Sequence, residues 1–173
     1  MNDLMKYADE ADKSLGIAGM AISLVACDSE DYLASVSLEE GDEPLELAGE
    51  FFFGGNPGIS AKIAWNEILR QYQVGSAMIM GNVLCRAHAA GHGLDDRVVD
   101  FIHKFICDEG HSMCSLDDDE VENLYNKNFA YYKRLFSHPS VVIIARDFAD
   151  DLRQRRHMSA GEVLESLRRL NNL

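Results

Sequence analysis

The stretch GGNPGISAKIAWNEILRQYQ (Gly54–Gln73), continued by VGSAMIMGNVLCRAHAAGHG (Val74–Gly93), decides how this chain folds. Asn56 or Ser60 can cap a helix, and Pro57 suits a first helical position. From there Ile63, Trp65, Ile68, Leu69 and Tyr72 fall on a broad apolar stripe. After Val74 the pattern changes: the residues become apolar almost all round, with Gly75, Ser76, Ala77 and Gly81 interspersed. A helix that is apolar on every side is buried on every side. The expectation is one long helix whose first half covers other elements and whose second half lies central in a bundle or at a subunit interface. Each glycine costs about 1 kcal/mol of helix propensity relative to alanine, which points to tight packing or to a break at Gly75 or Gly81.

The chain before this helix reads mainly as strands. Asn2–Ser14 has short helical spacing, ended by Gly16. Leu15–Ala26 is a nearly continuous apolar run, and its length and the turn residues Asp28–Glu30 favour a buried strand. Tyr32–Leu38 and Leu45–Phe53 alternate, with a turn over Glu39–Pro44. Together they read as an antiparallel meander with one wet face and one dry face covered by helices.

The chain after it reads as further helices: Leu94–Glu109 ended by Gly110, a third capped by Ser115, a fourth opened by Pro139, and a last one with Ser159 and Glu162 as a capping box. The stripe of the second is Val98, Val99, Ile102, Phe105 and Ile106; that of the last is Leu164, Leu167 and Leu170. The fold class is therefore α+β: an N-terminal antiparallel β-meander of about three strands packed on a long helix, followed by a C-terminal bundle of four or so helices. Residues 1–173 form a single domain, with helix plus meander in 1–56 and the helical part in 57–173.

Composition narrows the functional classes. The chain is 47% hydrophobic and 26% charged, ordinary values for a globular domain with a real core. Its net charge of −13 disfavours phosphate backbones and anionic membranes. No run approaches the roughly 18 apolar residues of a membrane span. The polar N-terminus lacks a signal-peptide core, and the four scattered cysteines make no disulfide framework; the expected location is cytoplasmic. Acid gathers at Asp28–Glu50 and Asp117–Glu122, whereas Arg146, Arg153, Arg155, Arg156, Arg168 and Arg169 crowd the C-terminal part. That run reads either as a solvated helix face or as a basic patch for an acidic face of a second subunit.

Three groups of residues carry chemical leads. Cys85, His88 and His92 fall within about 60° of one another on a helix, and His103, Cys107 and His111 recur at helical spacing with Cys114 just after. These residue types ligate zinc or another divalent metal, so Cys85, His88, His103 and Cys107 are candidate ligands on two helices joined at Gly91–Gly93. Against this, Gly91 and Gly110 stand before the outer histidines, Cys107 lies off its helix's apolar stripe, and no CxxC, HxxxH or HExxH occurs. The second lead is the GGNPGISAK turn, where Ser60 and Lys62 at a helix N-terminus could hold an anion, although neither P-loop nor dinucleotide spacing is present. The third is Asn82 and Arg86 inside the apolar half of the long helix. A buried arginine there needs an acid, with Asp95, Asp96 or Asp100 in reach, or it serves a small pocket for a polar ligand.

No nucleophile elbow or activated cysteine motif is visible. The functional expectation is a non-enzymatic interaction or regulatory protein acting as a homodimer, through self-association or a protein partner. The alternative is a metal- or small-anion-binding protein, or an enzyme, with its site near Asn82–His92. No cofactor is expected beyond a divalent metal.

Overall fold

The computed structural model describes residues 6–52, 61–91 and 93–172. Among them are seven α-helices and one three-stranded antiparallel sheet, an α+β architecture dominated by a helical bundle.

The first helix corrects the sequence reading. α1 runs Glu10–Ala26 without interruption, capped by Asp9, whose side chain accepts the Asp12 N–H at 2.8 Å. Gly16 does not break it, and Leu15–Ala26 is not a strand. The run is apolar because it is buried all round: Ile17, Ala18, Ala21, Ile22 and Leu24 have no exposed surface. Gly19 marks a close approach to another helix. A Cβ on Gly19 would lie 2.1 Å from the Gly81 carbonyl oxygen, and one on Gly81 would lie 2.4 Å from the Gly19 carbonyl oxygen. The two helices therefore meet backbone to backbone, which only glycine allows.

The partner is α3, Ala61–Ala89, one helix of 29 residues through both Gly75 and Gly81. Its second half is buried as expected, with Ala77, Met80, Leu84, Cys85 and Ala89 in the core. Its first half differs from the expected cover: Ile63, Trp65 and Ile68 all stay more than a third exposed.

The sheet is antiparallel and three-stranded, but its third strand comes from the far end of the chain. β1 (Leu33–Ser37) pairs with β2 (Leu45–Leu47) on one side and β3 (His157–Ser159) on the other, in the order β2-β1-β3. An irregularity between Leu33 and Ser35 breaks strict alternation, so Leu33 and Val36, not Ala34 and Val36, point inward. The Leu45–Phe53 run stops as a strand at Leu47 and becomes the short helix α2, Gly49–Phe52.

Behind α3 come α4 (Asp96–Cys114), α5 (Asp118–Ser137), α6 (Pro139–Arg155) and α7 (Ala160–Leu167). Gly110 does not end α4: a Cβ there would lie 2.5 Å from Val121 and 2.9 Å from the Tyr72 hydroxyl, so the glycine lets α4, α5 and α3 close. The stop falls at Ser115, in the left-handed region with φ 52°. The cap of α5 is consequently Asp117, in a reciprocal box with Glu120. Pro139 opens α6, so Val141–Ile144 is helical, and Ser159 with Glu162 boxes α7 as its sequence pattern indicates. Val163 and Leu167 are the buried residues of α7, while Leu164 and Leu170 are only partly covered.

Candidate functional site

The sequence-derived candidates separate into distinct places. Arg86, on the last turn of α3, faces α1 and not the next helix, α4. Its Nε and Nη2 donate to the two carboxylate oxygens of Asp12 at 2.7 and 2.5 Å, a bidentate pair with less than a fifth of either side chain exposed. Nη2 also donates to the Lys6 carbonyl at 2.8 Å, and the guanidinium lies 4.9 Å from the centre of the Tyr7 ring. Asn82 completes the group by donating to the Tyr7 hydroxyl at 2.8 Å. The expected partners Asp95, Asp96 and Asp100 do not pair with Arg86; Asp95 instead binds Arg97. A hollow of about 180 Å³ adjoins the pair between α1, α3 and the start of α4. With Asp12 supplying its counter-charge, Arg86 here fastens the chain before α1 onto α3.

The four metal candidates do not assemble. Cys85 faces α1 beside Gly19 and is fully buried, and desolvation pushes its thiol up to about 12. His88 lies at the far end of α3 beside Ser137 of α5, its pKa lowered by desolvation and by nearby Lys133. His103 and Cys107, by contrast, stand one turn apart on α4, with His103 Nε2 3.7 Å from Cys107 Sγ. The third member comes from α5: Glu122 Oε1 lies 2.8 Å from the same His103 nitrogen. One ligand atom from each of the three residues lies within 4.8 Å of the other two. Cys107 is buried and not off to the side, because α5 covers that flank of α4. Glu122 escaped sequence reading, since only the antiparallel return of α5 brings it to His103. An HxxxC pair followed by an acid early in the next helix is the signal that remains.

Tyr125 backs this trio. Its ring stands edge-on to His103 at 4.6 Å between centroids, and its hydroxyl is buried with no hydrogen-bond partner among the described residues. Burial first, then the charges of Cys107, Glu122 and Asp100, raise its pKa far above the ordinary value.

The third place was not singled out from sequence. A mostly apolar hollow of about 300 Å³ opens between α2, α3 and α4, lined among others by Phe51, Phe52, Gly75, Ile79, Phe105 and Met113. Phe52 is 66% exposed at its lip. Trp65 and Ile68 extend the apolar surface beside Met113: Trp65 Nε1 donates to the Cys114 carbonyl at 3.3 Å. Gln71 ties α2 down by donating to the Phe51 carbonyl at 2.6 Å.

Lys62 sits exposed in the first turn of α3; Ser60, His92 and the Gly54–Gly58 turn lie outside the described residues. The C-terminal arginines are engaged within the chain. Arg156 binds Glu10 at 2.6 Å and Glu39 at 3.1 Å, Arg155 binds Asp151 at 2.7 Å, and Arg168 binds Glu165 at 3.3 Å. Arg153 pairs with Asp150, Arg169 with Asp147, and Arg146 donates to the Ala89 carbonyl. No helix among the described residues is long and apolar enough to cross a membrane. No protein-family model, curated protein or solved structure matches this chain.

Proposed function

We propose that this chain is a non-enzymatic interaction protein of the cytoplasm that works as a homodimer, docking through the face formed by α2, α3 and α4. One observation carries the reading: large apolar side chains stand half-exposed around an open apolar hollow. Scattered surface hydrophobics need no explanation, but a contiguous group with a cavity at its centre is what interaction sites present. A second copy is the favoured occupant because projection and cavity lie side by side. In a two-fold interface the same patch meets itself, so Phe52 of each copy has a hollow opposite it that admits an aromatic ring. The intramolecular pairing of the C-terminal arginines moves the interface away from that end of the chain. The net charge of −13 favours a protein surface over nucleic acid as partner. Four free cysteines fit a reducing compartment.

Light scattering coupled to size exclusion tests this directly. The expected result is a dimer at micromolar concentration, converted to monomer by Phe52→Asp with the far-ultraviolet circular dichroism unchanged. A wild-type monomer throughout that range removes the proposal.

A further inference from the structure

We propose that His103, Cys107 and Glu122 form a mononuclear site for a divalent transition ion of the zinc class, bridging α4 and α5. The proposal rests on donor chemistry and on separation. A thiolate and an imidazole select borderline-soft ions over magnesium or calcium, and a carboxylate is a common third ligand. Zinc bonds of about 2.3 Å to sulfur and about 2.0 Å to nitrogen, at tetrahedral angles, place the two donor atoms about 3.5 Å apart. His103 Nε2 and Cys107 Sγ are 3.7 Å apart. The same geometry asks for about 3.4 Å between nitrogen and carboxylate oxygen, against the 2.8 Å of the present hydrogen bond. His103 and Glu122 are both more than a third exposed, so side-chain rotation alone can open that contact.

The scaffold is rigid where a site needs it. His103 and Cys107 share one helix face at i, i+4, and the Asp117–Glu120 box fixes the start of α5 one turn before Glu122. The ion displaces the proton of the Cys107 thiol, which is released to solvent, and takes His103 as the neutral imidazole through Nε2, with the ring proton on Nδ1. Three protein ligands leave the fourth tetrahedral position for water. The buried, unpartnered Tyr125 hydroxyl beside the trio is a second and independent sign, because buried hydroxyls in folded proteins have partners.

Cobalt(II) is the probe, added to the full chain without an affinity tag and under a non-chelating reductant. The expected result is a sulfur-to-cobalt charge-transfer band that saturates at one equivalent. Cys107→Ser abolishes that band, and Cys27→Ser retains it. His103→Ala and Glu122→Gln each weaken binding by more than the roughly 10–100-fold that loss of a mere supporting group costs, with helical circular dichroism intact. Zinc competes the cobalt out and raises the melting temperature of the wild type but not of Glu122→Gln. Absence of the band, its survival in Cys107→Ser, or its loss in Cys27→Ser each overturns the site. In that case His103–Glu122 is a hydrogen-bonded surface pair that happens to lie beside a cysteine. Since the trio lies apart from the hollow, a failed dimer test leaves this result untouched, and the reverse also holds.

Discussion

Gly81 and Gly75 occupy the same helix and are chemically identical, yet the seams they belong to are opposites. Around Gly81, α3 meets α1 so closely that a single added carbon falls inside the van der Waals envelope of Gly19 and Ser23. Around Gly75, a Cβ would have nothing within 4 Å, and the space opens into the apolar hollow under Phe52. The α1–α3 seam is complete within the chain. The α2–α3–α4 face has apolar surface left over. The fold's rigidity resides in the first, and the second is where a partner can gain free energy by covering what folding leaves exposed.

The largest effect therefore comes from closing the tight seam. Gly81→Ala gains helix propensity but must push backbone away from backbone, which neighbouring rotamers cannot absorb. The cost is about 3 kcal/mol or more, against a total stability of about 5–15 kcal/mol for a domain. The melting temperature should fall by about 10 °C in a thermal melt. A fall of less than a couple of degrees would mean that α1 and α3 are not in backbone contact.

Next comes the bidentate pair at the end of the same seam. Arg86→Ala removes the bidentate counter-charge of the Asp12 carboxylate, which keeps the Ala8 N–H at 2.8 Å, with little solvent to replace the guanidinium. Removing one member of a well-buried pair costs about 3–5 kcal/mol; partial access to water here lowers the expectation to about 2 kcal/mol in urea unfolding. Lysine should rescue less than half of it, because an ammonium cannot reproduce the planar two-pronged contact. A double-mutant cycle with Asp12→Ala assigns the loss: strong coupling marks the pair, whereas simple additivity would assign the cost to packing of the arginine stem.

The two seams were not equally legible. Signals confined to one turn could be read directly. Ser159 with Glu162, Pro139, and the Glu39–Pro44 turn each appear where local chemistry puts them. The helical character of α1 was hidden because an apolar run buried all round shows neither a period of two nor one of 3.6. Its Gly16 and Gly19 resemble breakers until a partner backbone is known. β3 is three residues with no alternation to read, and it becomes a strand only because β1 offers an unpaired edge. Asp117 displaced Ser115 as cap because α4 runs through Gly110 to Cys114 and needs Ser115 for its own stop. The same limit applied to the sites. His103 and Cys107 could be paired from spacing, but Glu122 and the Asp12 partner of Arg86 are contacts between helices, set by packing that no local pattern encodes.

Gly75→Ala gives the smallest effect and the sharpest contrast. The added methyl meets no neighbour, so the only change to the monomer is a less flexible unfolded chain and a better helix former in the middle of α3. Both terms favour the fold, by about 0.5–1 kcal/mol in sum. In a chain of this length that is a rise of about 1–4 °C in melting temperature. The sign decides more than the size. Had Gly75 been retained for close packing, as Gly81 is, alanine would destabilise, and the hollow would already be filled by an unseen rearrangement of α2 or α4. A rise for Gly75→Ala beside a fall for Gly81→Ala, measured in the same buffer, shows that one helix carries a closed seam and an open one.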